Sequence, residues 1–327
     1  MTLTSTVGAS RAAGNVRMTP GRWVALVFAV PVALALIGWT AFDFVSLVAQ
    51  GSYSFSLPVP VHDGQATVNV NGGNVTLRQT PGGAAQLTGS VTYGLFRPGI
   101  TDTLGSDGIS AGVNCDAIAS NCDMDAILNL PAQTALSLYT GGGEVQAGSY
   151  TGHLMLSTDG GNVNADDLGG NLVIYTEGGD LNTNVLTGTI QARTDGGNVN
   201  ASDLSGTVQV STQGGDLSSS AMSGNLQFFT AGGNVNGNSV SARQVYVQSQ
   251  GGDVTLVFTV PPANLQILTG GGNVNVVLPR GDTKYNLVTN DGGGSENYPS
   301  SLVSATSHNA ITVDSAGGDI TVTEATG

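Results

Sequence analysis

The sequence is poor in charge, histidine and cysteine, and each shortage argues against a class of function. Charged residues make up 10% of the 327 residues, against about 25% in average soluble domains. Three His and two Cys are too few for a His/Cys metal cluster, so we expect no metal and no other cofactor. The 23 acidic residues outnumber nine basic ones, and the net charge of −14 argues against binding to nucleic acid.

One long apolar run lies near the N-terminus. Residues 23–42 carry no charge and, as a helix, would span about 30 Å. Three arginines precede the run and the first acidic residue is Asp43, so the positive-inside rule places the N-terminus in the cytoplasm. We predict a basic cytoplasmic tail over 1–22, a single transmembrane helix over 23–45 in the cell membrane, and an extracellular remainder. A cleaved signal peptide is the alternative, although its apolar core would be shorter.

The remainder divides into three predicted segments: a linker over 46–58, an N-terminal β region over 59–130 with an insertion, and a solenoid over 131–327. The insertion contains the two cysteines, Cys115 and Cys122. Because an extracellular compartment is oxidising, we expect these two residues to form a local structural disulfide.

An 18-residue repeat dominates the predicted extracellular part. Gly-Gly, a polar residue and then an apolar residue begin at positions 142, 160, 178, 196, 214 and 232, and again at 251, 271 and 317. Alternating apolar residues within each unit indicate β-strands with one buried face. We expect the Gly pairs to supply the positive φ values of tight corners.

A unit this short cannot bury its own apolar face, so copies must stack. Each strand would pair in parallel with its equivalent one coil away, at about 4.8 Å. The pattern predicts an all-β fold, a right-handed parallel β-helix (β-solenoid) of about 18 residues per coil preceded by one transmembrane α-helix. Leu168, Leu186 and Leu204 should then share one dry column.

The polar column after each Gly pair alternates between Asn and Asp. Its members are Asn162, Asp180, Asn198, Asp216, Asn234, Asp253 and Asn273. An unbroken column of Asp would place like charges about 5 Å apart, at a cost on the order of 1 kcal/mol per pair. We interpret the column as a structural ladder in which amides hydrogen-bond along the stack, and not as a metal site.

Outward positions of the second strand in each coil carry a few aromatic and guanidinium side chains. Tyr175, Arg193, Phe229 and Tyr246 are the members of this predicted contact strip. Aromatic residues and Arg are typical anchors of binding interfaces. Single exposed aromatics are also normal on strands, so the ordinary surface interpretation stays open.

These motifs resemble those of a known group. The GG-[ND]-[VL] repeat, the strand over 127–131 before residues 136–143, and the last coil over 311–320 are similar to the bacterial "putative adhesin" β-strand-repeat family. The resemblance covers about residues 59–324. It implies a right-handed β-helix with one N-terminal membrane helix, and it supplies no agreed ligand or catalytic residue.

We therefore predict a membrane-anchored, non-enzymatic, adhesin-like surface module that binds a cell-surface glycan or protein. The alternative is an envelope regulatory or scaffold protein that signals through a membrane partner. A polysaccharide-acting enzyme is disfavoured, since glycoside hydrolysis needs two carboxylates facing each other across a cleft. Adjacent acidic residues in a regular coil occur once, at Asp166 and Asp167, within a single turn.

Overall fold

The structure is a computed structural model that describes residues 28–37, 39–40, 50–94, 96–105, 108–114 and 122–326. Helix is present at residues 28–37 and 39–40. Within the described part of the chain, none of the helix is long and apolar enough to cross a membrane. The predicted tail over 1–22 and part of the predicted span over 23–45 lie outside the described residues.

From Gly51 onward the described chain is mainly β-structure. The strands are β1 (Gly51–Pro58), β2 (Gln65–Asn71), β3 (Asn74–Thr80), β4 (Gln86–Tyr93), β5 (Gly99–Leu104), β6 (Gly108–Asn114), β7 (Asp123–Pro131), β8 (Ala135–Thr140), β9 (Val145–Thr158), β10 (Val163–Thr176), β11 (Leu181–Thr194), β12 (Val199–Thr212), β13 (Leu217–Thr230), β14 (Val235–Val240), β15 (Gln244–Ser249), β16 (Val254–Phe258), β17 (Asn264–Thr269), β18 (Val274–Leu278), β19 (Asn286–Asn290), β20 (Glu296–Asn297), β21 (Ala310–Ser315) and β22 (Ile320–Glu324). One 3-10 helix, η1, covers Ser300–Leu302.

The middle of the chain is a regular parallel stack. Strands β9 to β13 have 14 residues each, and each pairs in parallel with the next. Leu168 pairs with Leu186 and Leu186 with Leu204, so each residue faces the one 18 positions later. All three leucines are 1% exposed. The predicted all-β solenoid with an 18-residue coil is confirmed.

Each long strand bends in its middle at a glycine with positive φ. Gly170 has φ 114°, and a Cβ atom there would lie 2.3 Å from the carbonyl oxygen of Gly152 in the preceding coil. Both the conformation and the close approach exclude a side chain. The bend divides β9 to β13 into two faces of the coil.

The Gly-Gly pairs have a different role from the one the sequence suggests. At the pairs that begin at 160, 178, 196, 214, 232, 251 and 317 neither glycine has a positive φ, so the expectation of positive-φ corners is wrong there, whereas Gly142 and Gly271 have φ 141° and 159°. The second glycine packs against the coil before it instead. A Cβ atom at Gly215 would lie 2.0 Å from the carbonyl oxygen of Gly197, whereas one at Gly214 would meet nothing within 4 Å.

A buried hydroxyl stabilises each of these turns. The Gly179 N–H donates to Thr176 Oγ1 over 2.8 Å, and the same hydroxyl donates to the Gly179 carbonyl over 3.1 Å. The residues that bind the second glycine of their own turn in one or both of these ways are Thr158, Thr176, Thr194, Thr212, Thr230, Ser249, Thr269 and Ser315. The hydroxyl column thereby satisfies backbone groups that the turn leaves unpaired.

The N-terminal end of the stack is covered by extra strands. β2 and β3 form the first coil, pairing with β8 and β9 on one side and with β6 and β7 on the other. Antiparallel β5 then covers β6, and β4 and β1 extend from β7. The solenoid therefore begins at Gln65, ahead of the predicted boundary at 131. Residues 51–58 of the predicted linker form β1, because Tyr53, Phe55 and Leu57 pack against the core.

At the C-terminal end the order of coils in space differs from their order in sequence. β21 and β22 stack directly on β17 and β18. β19 and β20 precede them in the chain but pair with their outer edges. The chain thus passes to the outermost position first and returns to fill the layer beneath. An otherwise open pair of strand edges is covered in this way.

Replacing Gly215 with Ala should destabilise the stack, whereas Gly214→Ala should not. The methyl group at 215 overlaps the carbonyl of Gly197, so neighbouring coils must separate, at a cost of about 1–3 kcal/mol. The matched change at 214 meets open space and should alter the free energy of unfolding by less than about 1 kcal/mol. Thermal melting followed by circular dichroism measures both; equal melting temperatures would contradict the close-packing role.

Candidate functional site

The Asn/Asp column runs along one edge of the stack as a continuous hydrogen-bonded ladder. The backbone N–H of Asp180 donates to Asn162 Oδ1 over 2.8 Å, and that of Asn198 donates to Asp180 Oδ1 over 2.7 Å. The same bond repeats at Asp216, Asn234, Asp253, Asn273 and Asp319. Each side chain thus accepts from the backbone of the next coil, and not from the neighbouring side chain as the sequence suggested.

This geometry explains why Asn and Asp share the column. Both residues place an Oδ1 acceptor at the same distance from the backbone, so either can receive the N–H of the next coil. Glu144, one carbon longer, bonds Gln146 and Asn164 through its Oε1 instead. Within the described part of the chain there is no group of three or more His, Cys, Asp or Glu that could hold a metal ion. The side chains of the ladder accept backbone N–H groups of the next coil, and the ladder thereby contributes to structure.

The predicted disulfide falls at the margin of the described residues. Cys122 is half-buried beside the core and does not carry a free thiol. Cys115 lies outside the described residues. Their pairing stays a prediction.

The part of each coil after the bend, which is the second half of β9 to β13 and then strands β15 and β17, forms a broad outer face with three outward columns. In one column Tyr175, Arg193, Ser211 and Phe229 follow one another in register. Tyr246 lies in the adjacent column, where it pairs with Gln227. All four residues of the predicted contact strip therefore occupy one face, but Ser211 divides them into two groups.

Tyr175, Arg193 and Asp195 form the first group. Arg193 Nε donates to Asp195 Oδ1 over 2.9 Å, and the Tyr175 hydroxyl donates to Asp195 Oδ2 over 3.1 Å. The guanidinium carbon lies 5.8 Å from the centre of the Tyr175 ring. One carboxylate thereby fixes both an aromatic ring and a cation on the outer face.

Phe229 and Tyr246 form the second group. Their ring centres are 5.7 Å apart and the rings are tilted by 49°. The Tyr246 hydroxyl donates to Gln248 Oε1 over 3.1 Å. Tilted contact at this distance is favourable for aromatic pairs, so the two rings form one preorganised apolar surface.

The charge of the first group alters the titration of its members. The hydrogen bond from Arg193 lowers the pKa of the Asp195 carboxyl. Partial loss of hydration raises the pKa of the Tyr175 hydroxyl, and its hydrogen bond to Asp195 raises it further. Asp195 is therefore ionised and Tyr175 neutral at physiological pH.

Two features of the outer face are absent from the predicted strip. Asp195 lies in the turn beyond β11, and its signal in the sequence is its spacing of two residues from Arg193. A set of carboxamides occupies the columns beside the aromatic residues: Gln209, Asn225, Gln227, Gln244, Asn264 and Gln266. Reading down the 18-residue period would have shown this enrichment.

Asn198→Asp should weaken the stack in a salt-dependent manner. A third carboxylate between Asp180 and Asp216 keeps the backbone acceptor but creates two like-charge contacts at coil spacing. Each costs on the order of 1 kcal/mol at low ionic strength and is largely screened near 1 M salt. The control is Asn238→Asp, at an exposed position outside the column. Thermal melting at low and high salt tests this prediction. A decrease in the melting temperature of Asn198→Asp that does not depend on salt would refute the charge argument.

Arg193→Gln should raise the pKa of Asp195 toward its ordinary value, because the charged hydrogen-bond donor is lost. A carboxyl with a lowered folded-state pKa stabilises the fold above its unfolded pKa, and that contribution disappears as pH falls through the folded pKa. The variant should lose this acid-sensitive contribution. NMR titration of the Asp195 carboxyl carbon measures the change, with Arg243→Gln as control. The same Asp195 titration curve in the unmodified protein, in Arg193→Gln and in Arg243→Gln would disprove the coupling between Arg193 and Asp195.

Three solved bacterial structures have distant similarity to this chain. A putative adhesin from Bacteroides fragilis is 14% identical and covers 84% of this chain and 97% of its own, with a TM-score of 0.35. A putative adhesin from Parabacteroides merdae is 11% identical, with 84% and 96% covered and a TM-score of 0.37. A putative lipid binding protein from Parabacteroides distasonis is 10% identical, with 84% and 97% covered and a TM-score of 0.34.

No curated protein is significantly similar to the chain. The family model described as Toastrack DUF4097 matches residues 41–323, which is most of the sequence. Its match includes the first coil, the regular stack and the C-terminal layers. The chain therefore belongs to the Toastrack DUF4097 family.

Proposed function

We propose that the protein is a membrane-held, non-enzymatic, adhesin-like module that binds a partner outside the cell through its outer face. The observation that carries the proposal is the pair of side-chain groups on that face. Tyr175 and Arg193 are fixed by Asp195, and Phe229 and Tyr246 are fixed by each other. Rigid aromatic and guanidinium side chains lose little conformational entropy on binding.

The shape of the solenoid supports the same role. Parallel strands hold the outward side chains at about 4.8 Å intervals along the stack, so the face is flat and its side chains are in fixed register. A flat face suits an extended partner better than a small molecule, which prefers an enclosed cavity. The carboxylates of the ladder already accept backbone N–H groups, so they belong to the scaffold.

Membrane attachment is proposed from the sequence. The uncharged run over 23–42 has the length of a membrane span, and the arginines before it place the N-terminus inside. Attachment at one end would leave the stack and its outer face free to meet partners outside the cell. The excess of acidic over basic residues, with a net charge of −14, would keep such a surface soluble.

Cells that produce the full chain should adhere several-fold better than cells without it to at least one surface coated with polysaccharide, mucin or collagen. The double variant Phe229→Ala with Tyr246→Ala should abolish this gain, because truncating interface anchors removes most of the binding energy. Phe96→Ala is the control, since Phe96 is 57% exposed and lies off the outer face.

A C-terminal epitope should also be reached by antibody on intact cells. Adhesion that equals that of cells without the chain on every coating would overturn the binding role. An epitope reached only after lysis would overturn the proposed orientation. Equal losses in the Phe96 variant and the double variant would place the binding surface elsewhere.

A further inference from the structure

The outer face contains a large uncharged area within an acidic protein. Its three columns carry no charged residue over four successive coils, between Arg193 on one side and Asp314 on the other. The side chains of this area are Thr207, Gln209, Ser211, Asn225, Gln227, Phe229, Gln244, Tyr246, Gln248, Asn264, Gln266 and Leu268. Arg243 lies just outside it, immediately before Gln244. A chain with a net charge of −14 thus presents a neutral surface here.

Six of the seven carboxamides of this area are unengaged, the exception being Gln248, which accepts from the Tyr246 hydroxyl. On another face Asn182 donates to Asn164 Oδ1 over 3.2 Å and Asn200 donates to Asn182 Oδ1 over 3.1 Å, so those amides bond one another. In the described structure the carboxamides at 209, 225, 227, 244, 264 and 266 make no side-chain hydrogen bond to protein. Each retains donors and an acceptor for a ligand.

The aromatic pair lies among these amides. Phe229 and Tyr246 border a shallow depression of ≈ 470 Å³ that Asn225, Gln227 and Gln266 also line. The rings supply apolar surface, and the amides beside them supply hydrogen-bond donors and acceptors. This combination matches a ligand whose surface alternates between C–H groups and hydroxyl groups and that carries no net charge.

We propose that this area, the amide face, binds a neutral oligosaccharide or polysaccharide chain; the inference rests on the proposed function and names its ligand class. Pyranose rings present C–H patches that pack on aromatic rings and hydroxyls that both donate to and accept from carboxamides. An anionic glycan or a phosphate would require cations, and the amide face has none among its outward side chains.

The coil spacing favours an extended sugar chain that lies along the stack. Equivalent amides recur about every 4.8 Å, which is close to the length of one pyranose unit in an extended chain. Gln209, Gln227 and Gln266 lie in one column, with Tyr246 between the last two. Successive sugar units would therefore meet equivalent groups in successive coils.

The test is affinity gel electrophoresis of the purified full chain in gels that contain amylose, galactomannan or hydroxyethyl cellulose. Polygalacturonate serves as the anionic counterpart. We expect retardation by at least one neutral polysaccharide, unchanged in high salt because no ion pair contributes. Tyr246→Ala and Gln227→Glu should each weaken it about tenfold, as loss of an interface anchor does. Gln250→Glu, the same change at an exposed turn residue off the face, should leave retardation unchanged.

The outcomes separate this inference from the function on which it rests. Retardation by polygalacturonate alone, or cell adhesion that depends on Phe229 and Tyr246 without retardation by any neutral polysaccharide, overturns the sugar assignment and leaves the binding module standing. If a neutral polysaccharide retards Tyr246→Ala and Gln227→Glu as strongly as the unmodified protein, the sugar binds elsewhere. That result overturns the assignment of the sugar site to the amide face. Absence of both retardation and adhesion overturns both proposals.

Discussion

Every position in the regular coils must tolerate a near copy of itself about 4.8 Å away. Hydrogen bonding in parallel register imposes this constraint, and the columns of the sequence follow from it. Apolar residues can repeat without limit, so Leu168, Leu186 and Leu204 make a dry column. Carboxylates cannot repeat in successive coils because their like charges repel, and the ladder therefore separates each Asp from the next by an Asn. The same constraint leaves no space for a Cβ atom at the second glycine of each turn.

The sequence was sufficient to predict the features that this constraint repeats. The period, the parallel stacking and the buried column could all be derived because five equal steps of 18 residues reveal equivalent positions. The role of the Gly pairs could not be derived from one sequence, since a close approach and a positive φ both select glycine. Only the structure distinguishes Gly170, which needs both its φ and the space, from Gly215, which needs the space alone.

The parts that lie outside the period were the least predictable. β1 lies in the segment over 46–58 that the sequence predicts to be a linker, and its partner β4 is far along the chain. Of the candidate site, the face of Tyr175, Arg193, Phe229 and Tyr246 followed from strand alternation. Asp195 did not, because it belongs to a turn, and its contact with Tyr175 of the preceding coil arises only when the coils are in register.

The two polar surfaces of the solenoid use similar residues differently. On the ladder edge and in the Asn164–Asn182–Asn200 row, side-chain hydrogen bonds are made within the protein. On the amide face, equally regular carboxamides point to solvent beside two aromatic rings. One scaffold thus separates the residues that hold the coils together from those that are free to contact something else.

The reversed order of the last layers also affects how the molecule is completed. β19 and β20 cannot take their final places until β21 and β22, which leave the ribosome after them, provide the layer between. The growing end of the stack therefore stays open until β21 and β22 have been synthesised. β21 and β22 then close the stack, and a protein truncated before them would keep an exposed edge able to recruit strands from other molecules.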